Sequence, residues 1–392
     1  MKKLNSLEFY SSDDFNKIFN YFILEFDEGF RYNNIVLNIY KRISCIDKLI
    51  GFVGRIFSCK STKPKYVFMG TKYKDLILSL ERDDVLIIGG FKQLVFCLIN
   101  RKKYFYIGYL YSYLNSYFIK KSDRNHVLAN EIYKFLYKFS PSHIVFINDS
   151  LPMERAIILA SQRMNINTIC IQHGVFQSSN TSLLDGVFVD LMLVYDDHHK
   201  LMYKDFINQK SIVLGYHSNI VKINNYVSYS IPNKRVCILG QPYFDYYSDL
   251  ENNYINTISK LISVLENNDI AYCYKPHPSE KKGNYLRNIK NKLYTKKLID
   301  AFRDFDVFIS FTSTALLEAS LHNRVAIQLT DEWLKCDNFE LLGYSYSVEI
   351  NNQSVLIDRI LSAKPIKNDV IFQMSCYSIK ERFLRSIAEE WS

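Results

Sequence analysis

Three short stretches in the second half of the chain carry residue types that handle phosphate: Gly240-Gln241-Pro242, Lys275-Pro276-His277-Pro278 and Thr312-Ser313-Thr314. The prolines flanking His277 have fixed φ angles, so the imidazole is held in one direction at little entropic cost. That suits donation to a phosphate or protonation of a leaving phosphate oxygen. Ser313 and Thr314 precede the strong helix former Ala315-Leu316-Leu317-Glu318-Ala319. One hydroxyl would cap that helix, and the free N–H groups of its first turn would form an anion site. Glu318, one turn further in, could accept from a ribose hydroxyl pair, with Lys275 adding positive charge opposite. The plainer reading makes Ser313 only a cap and Glu318 a solvated helix residue.

Two triplets in the first half offer bases, Asn148-Asp149-Ser150 and Gln172-His173-Gly174. His173 has an ordinary pKa suited to taking a proton near neutral pH, and Gly174 permits close approach of a ligand or backbone. A turn whose imidazole bonds a neighbouring loop explains the same residues. Asp149, shortly before Pro152 and Glu154, reads more readily as a helix cap. Asp196-Asp197-His198-His199 has metal-ligating residue types, but adjacent residues do not converge on one face, so no metal site is expected. No Walker loop, G-x-G-x-x-G, H-E-x-x-H or G-x-S-x-G occurs, which removes support for the common ATPase, dehydrogenase, zincin and hydrolase classes. No cofactor is expected.

Strands must carry these residues. Short β-rich runs alternate with amphipathic segments from Lys65 onward: Tyr66–Met69, Val85–Ile88, Tyr104–Ile107, Ile144–Ile147, a helix over Met153–Met164, then Thr168–Gln172 and Asp190–Tyr195. A polar stretch from Asn219 to Lys234 interrupts the series. A second series follows, with strands at Arg235–Leu239, Ile270–Tyr274, Val307–Ser310 and Val325–Gln328 and helices at Tyr254–Leu265 and Thr314–Leu321. Strand–helix alternation predicts parallel sheets covered by helices, an α/β fold of two Rossmann-like halves with a cleft between them. In such sheets ligands bind beyond the carboxyl ends of the strands, where every stretch named above lies. The expected division is 1–224 for the first half, 225–234 for a linker, 235–370 for the second half and 371–392 for a final helix. Residues 1–65 show mixed helical periodicity and no catalytic cluster.

The chain has 392 residues, 48% of them hydrophobic and 23% charged, a globular composition long enough for two cores. A net charge of +9 favours anionic partners. The basic residues are scattered and no nucleic-acid module accompanies them, so nucleic acid is not an expected partner. The eight cysteines are widely spaced without a C-x-x-C pair and read as reduced core residues. The N-terminal residues lack an apolar signal region and no run is long enough to span a bilayer, so a cytoplasmic protein is expected.

The pieces Ile171-Gln172-His173-Gly174, Gly240-Gln241-Pro242, Lys275-Pro276-His277-Pro278 and Phe311 to Ala319 together resemble bacterial GT-B glycosyltransferases with the His-Pro motif. Those enzymes build capsular and other surface polysaccharides, especially from CMP-activated acidic sugars such as sialic acid or Kdo. The resemblance covers roughly residues 140–330 and implies that His277, Ser313 and Thr314 hold the cytidylate phosphate. It implies transfer from a nucleotide donor bound by the second half to a glycan or lipid-linked glycan bound mainly by the first. A single displacement would invert the sugar carbon. The helix start and its hydroxyls could replace a divalent cation and no acidic metal pair is evident, so metal independence is expected. The basic charge and aromatic surface suggest peripheral attachment to an anionic inner membrane face. His173, Asp149 or Asp185 would be the base, Asp185 because Leu184-Asp185-Gly186 comes nearest to the family's acidic base motif, without its paired acid. CDP-glycerol glycerophosphotransferases are also similar, pairing a His-Gly with a His-Pro, and UDP-sugar enzymes share the fold. A nucleotide-binding component of an assembly complex without a competent base is the remaining alternative.

Overall fold

The computed structural model describes residues 54, 56–59, 63–107, 125–149, 152–175, 189–207, 210–218, 234–241, 250–278, 280, 289, 292–334, 336–366 and 377–391. They form two compact units. One holds the described residues of Met1–His173, Ser182–Ser218 and Ser378–Ser392, the other those of Gly174–Thr181 and Asn219–Tyr377.

The first unit runs β1 (Tyr66–Met69), α1 (Lys74–Ser79), β2 (Val85–Gly89), α2 (Phe91–Ile99), β3 (Lys103–Tyr106), α3 (Asn125–Phe139), β4 (His143–Phe146), α4 (Pro152–Arg163), β5 (Asn167–Ile171), β6 (Leu191–Val194), α5 (Asp197–Ile207) and β7 (Ser211–Val213). Its seven strands lie in the order β3-β2-β1-β4-β5-β6-β7, all parallel. Continuous apolar runs such as Val85-Leu86-Ile87-Ile88 are buried throughout because helices cover both faces of a parallel sheet. The chain's last described helix, α10 (Ile379–Trp391), joins this unit. Its Ile379, Phe383 and Ile387, spaced four residues apart, enter the same core as β1, and the Phe383 ring lies 5.5 Å from that of Tyr66.

The second unit runs β8 (Val236–Leu239), α6 (Glu251–Asn267), β9 (Tyr272–Lys275), α7 (Leu298–Asp304), β10 (Val307–Ser310), α8 (Thr314–Leu321), β11 (Val325–Thr330), β12 (Tyr346–Glu349) and α9 (Gln353–Ser362). Its parallel strands lie in the order β12-β11-β10-β8-β9. On α6, Tyr254, Ile258, Leu261 and Leu265 recur at helical spacing and are buried against the sheet. The fold is the α/β, twice Rossmann-like architecture expected from the alternation of elements.

Among the described cysteines Cys97, Cys170 and Cys237 are buried and Cys59, Cys273 and Cys336 half-buried. Burial pushes the Cys97 thiol up to about 12, which keeps it protonated. Asp196 accepts from the His199 N–H at 3.0 Å and meets its Nδ1 at 2.7 Å, capping α5. Among the described residues no group of three or more His, Cys, Asp or Glu could hold a metal ion.

Candidate functional site

In the second sheet the connections reverse direction between β8 and β10, and open α/β sheets take their ligands beyond the strand ends at such a point. The two loops there are Gly240-Gln241 and Phe311-Thr312-Ser313. The Gln241 side chain clamps one to the other. Its Oε1 accepts from the N–H of Phe311 at 3.2 Å and of Thr312 at 2.9 Å, and its Nε2 donates to Thr312 Oγ1 at 3.1 Å.

A buried hydrogen-bond chain carries this clamp on to His277. The Gln241 N–H donates to the Tyr254 hydroxyl at 3.0 Å, which meets the Tyr274 hydroxyl at 2.9 Å. Tyr274 donates to Glu280 Oε1 at 2.6 Å, and Glu280 Oε2 accepts from the His277 N–H at 2.8 Å. Both tyrosines are fully buried and Glu280 is 9% exposed, so the chain fixes the Lys-Pro-His-Pro loop from beneath. Gly240 is required in this packing. A Cβ there would lie 2.2 Å from Glu280 Oε2 and 2.5 Å from the Tyr274 hydroxyl. The Gly240 N–H also donates to the Lys275 carbonyl at 2.9 Å, joining the β8 and β9 loops.

Ser313 is the N-cap of α8, with extended φ and ψ of −76° and 129°, and its Oγ accepts from the Ala315 N–H at 3.2 Å. Thr314 begins the helix, and its Oγ1 accepts from the Val175 N–H at 2.9 Å. Thus Gly240, Gln241, His277 and Thr312 belong to one bonded assembly, with Ser313 and Thr314 at the capped helix start beside it. Glu318 is half-buried one turn into α8, its carbonyl taken by the His322 ring at 2.8 Å. Pro278 is exposed beside the half-buried His277. Lys275 differs from the expectation. Its ammonium donates to the Lys296 carbonyl and lies 5.5 Å from the Tyr294 ring centroid, so that loop has taken the charge expected opposite the helix end.

In the first unit the sheet reverses between β1 and β4, and Asp149 and His173 follow β4 and β5 at this same edge. Asp149 is 7% exposed. Burial, with the Asp149 charge adding to it, pushes Glu154 up to about 7. His173 is not poised near neutrality as its residue type alone implies: burial and then the Lys72 ammonium push it down to about 4, against the opposing pull of the Ile147 carbonyl. The imidazole is therefore neutral at pH 7. Gln172 is fully buried and accepts from the Tyr195 N–H at 2.8 Å, setting the loop that presents His173. Asp185 and Pro242 lie outside the described residues.

Sequence reasoning missed Glu280, Tyr254 and Tyr274 as organisers of the His277 loop, and it missed His217, buried just after β7. The glutamate three residues beyond the histidine was the available signal.

No family model and no curated protein sequence matches this chain. Its fold is similar to that of a glycosyltransferase from Rickettsia africae ESF-5, at a TM-score of 0.54 and 13% identity, covering 83% of this chain and 97% of that one. Weaker likenesses, each at 9% identity, are to MurG of Acinetobacter baumannii (TM-score 0.46, 81% and 95% covered) and to a UDP-forming α,α-trehalose-phosphate synthase of Burkholderia xenovorans (0.47, 84% and 98%). The Rickettsia likeness spans both units and bears on fold alone.

Proposed function

We propose that this chain is an inverting, metal-independent glycosyltransferase that moves an acidic sugar from a CMP-activated donor to a surface-polysaccharide or lipid-linked glycan acceptor. The observation that supports it is the continuous bonding of Thr312, Gln241, Tyr254, Tyr274, Glu280 and His277, which holds an imidazole loop and a capped helix start at the switch point of one sheet. In this reading the donor phosphate sits at the first turn of α8. Charge developing on the departing phosphate meets helix N–H groups, the Ser313 hydroxyl and the His277 ring, which serve where other transferases use a divalent cation. The first unit carries the acceptor, and neutral His173 takes the proton from its hydroxyl. A single displacement inverts the sugar carbon.

The test is nucleotide release from CMP-, CDP- and UDP-activated donors with a glycan acceptor. CMP release that falls about 100-fold or more in His277→Ala supports the reading. Release from UDP or CDP donors alone reassigns the donor. Nucleotide binding without turnover of any donor makes the chain a binding component.

Attachment to an anionic membrane face is part of the same proposal. Helix α2 presents Phe91, Val95, Leu98 and Ile99 outward, with Ile99 75% exposed and Leu98 54% exposed. Exposed Lys92 and Arg101 flank that stripe, the composition of an interfacial helix. Among the described residues no helix is long and apolar enough to cross a membrane. Flotation with vesicles containing anionic lipid, lost in Leu98→Asp/Ile99→Asp, supports attachment; equal flotation of the variant removes this helix from it.

A further inference from the structure

The order of the first sheet brings the loops after β1, β4, β5 and β7 to one edge, and with them Lys72, Asp149, His173 and His217. His217 is 6% exposed and enclosed by aromatic rings, Tyr216 at 4.6 Å, Tyr73 at 5.5 Å and Tyr195 at 6.0 Å between centroids. Its Nδ1 is buried with no hydrogen-bond partner among the described residues. Structures seldom leave a buried ring nitrogen in that condition without a ligand or water to meet it.

The charges that shift this imidazole are of one sign. Exposed Lys72 acts on both His173 and His217, and Arg382 of α10 acts on His217. Arg382 is anchored by Nη1 bonds to the Leu214 and Tyr216 carbonyls at 2.6 and 2.9 Å, while its buried Nε has no partner among the described residues. Two buried carboxylates lie at this edge: Asp149, which bears on Tyr73, Cys170 and Glu154, and Asp196 after β6, which meets the His199 N–H and ring, with exposed Asp197 beside it. None of the three is among the charges that shift either imidazole. Burial, reinforced by the surrounding cations, pushes His217 down to about 3 and leaves it neutral with an N–H to donate.

We infer that the acceptor carries a phosphate ester beside its accepting hydroxyl, docked by the Lys72 ammonium and the two imidazoles of His173 and His217. The inference rests on the proposed role of the first unit as the acceptor side, and it gives that role a substrate class. An arriving dianion offsets Lys72, draws both imidazoles toward the range in which His173 is an effective base, and so couples acceptor binding to base strength.

The experiment uses the full chain and inorganic phosphate as probe, following the C2–H resonances of assigned histidines against pH. With phosphate present, the His173 and His217 pKa values should rise by about one unit. In Lys72→Gln, whose side chain is exposed and whose loss leaves the core intact, phosphate should bind about tenfold more weakly. Movement of His277 alone would place phosphate at α8 and overturn the inference while leaving the donor-site proposal standing. An unchanged affinity in Lys72→Gln, or His173 and His217 unmoved at saturating phosphate, overturns it as well. A parallel titration with CMP, which should move His277 and leave His217 unmoved, tests the donor proposal separately.

Discussion

Glu280→Gln removes one charge and almost no volume from the centre of the second unit. The carboxylate accepts two bonds at 9% exposure, from the Tyr274 hydroxyl at 2.6 Å and the His277 N–H at 2.8 Å. Bonds to a charged group contribute about 1.5–3 kcal/mol each. A glutamine keeps one acceptor. If its oxygen serves the His277 N–H, its NH2 group faces the Tyr274 hydroxyl and forces that hydroxyl to donate to Tyr254, which already accepts from the Gln241 N–H. The reversed chain loses one charge-assisted bond and weakens the other, so the expected loss is about 2–3 kcal/mol. Glu266→Gln is the control: Glu266 accepts from the Tyr272 hydroxyl at 2.7 Å but is exposed, so about 0.5 kcal/mol or less is expected. Urea denaturation followed through the second unit measures both, and calorimetry with nucleotide should show Glu280→Gln weakened about tenfold or more as the His277 loop loosens. Equal stability of the two variants, with nucleotide affinity unchanged, would refute the argument that this chain holds the loop.

Gly240→Ala drives a Cβ to 2.2 Å from Glu280 Oε2 and should cost about 3 kcal/mol or abolish folding, whereas Gly174→Ala, whose Cβ meets Thr314 Oγ1 at 3.6 Å, should be near neutral; thermal unfolding ranks them. Acid should destabilise the first unit early. Buried His143 and His217 are depressed from 6.5 to about 4 and about 3, so they stay neutral in the folded state while the unfolded chain takes up protons. Their stabilisation is complete above pH 6.5 and falls by about 1.4 kcal/mol per pH unit for each as pH drops toward 4. A urea midpoint unchanged between pH 7 and pH 5 would contradict this. Ser313→Ala removes the α8 cap and should cost about 1 kcal/mol, with a matching drop in nucleotide affinity, since the same helix start is assigned to the phosphate.

Much of this architecture is legible in the sequence because parallel strands are short apolar runs and helices repeat at 3.6 residues. The spans Val307–Ser310 and Thr314–Leu321 agree in both descriptions, and the final helix expected within 371–392 lies at Ile379–Trp391. Strands β7 and β12 do not declare themselves. Ser211–Val213 is only three residues long, and Tyr346–Glu349 is a half-exposed run on the sheet edge, where no apolar signal is needed. Side-chain direction is less legible still. Lys275 follows a strand, as a ligand-binding lysine would, yet its stem runs along Tyr294 to the Lys296 carbonyl. Glu280 precedes Lys281 and Lys282 in a polar stretch of the sequence, and only the buried tyrosines above it reveal that its carboxylate points inward. His173 is recognisable by type and position, but its low pKa arises from burial and from Lys72, a hundred residues away in the chain.

The central claim is a nucleotide-donor site built on His277 and the start of α8. Calorimetric titration of the wild type and His277→Ala with CMP, CDP, UDP, GDP and ADP tests it most directly. The account predicts saturable binding of CMP in preference to the others, lost or weakened at least about tenfold in His277→Ala. Absence of binding by any of the five, or undiminished binding in the variant, would contradict it.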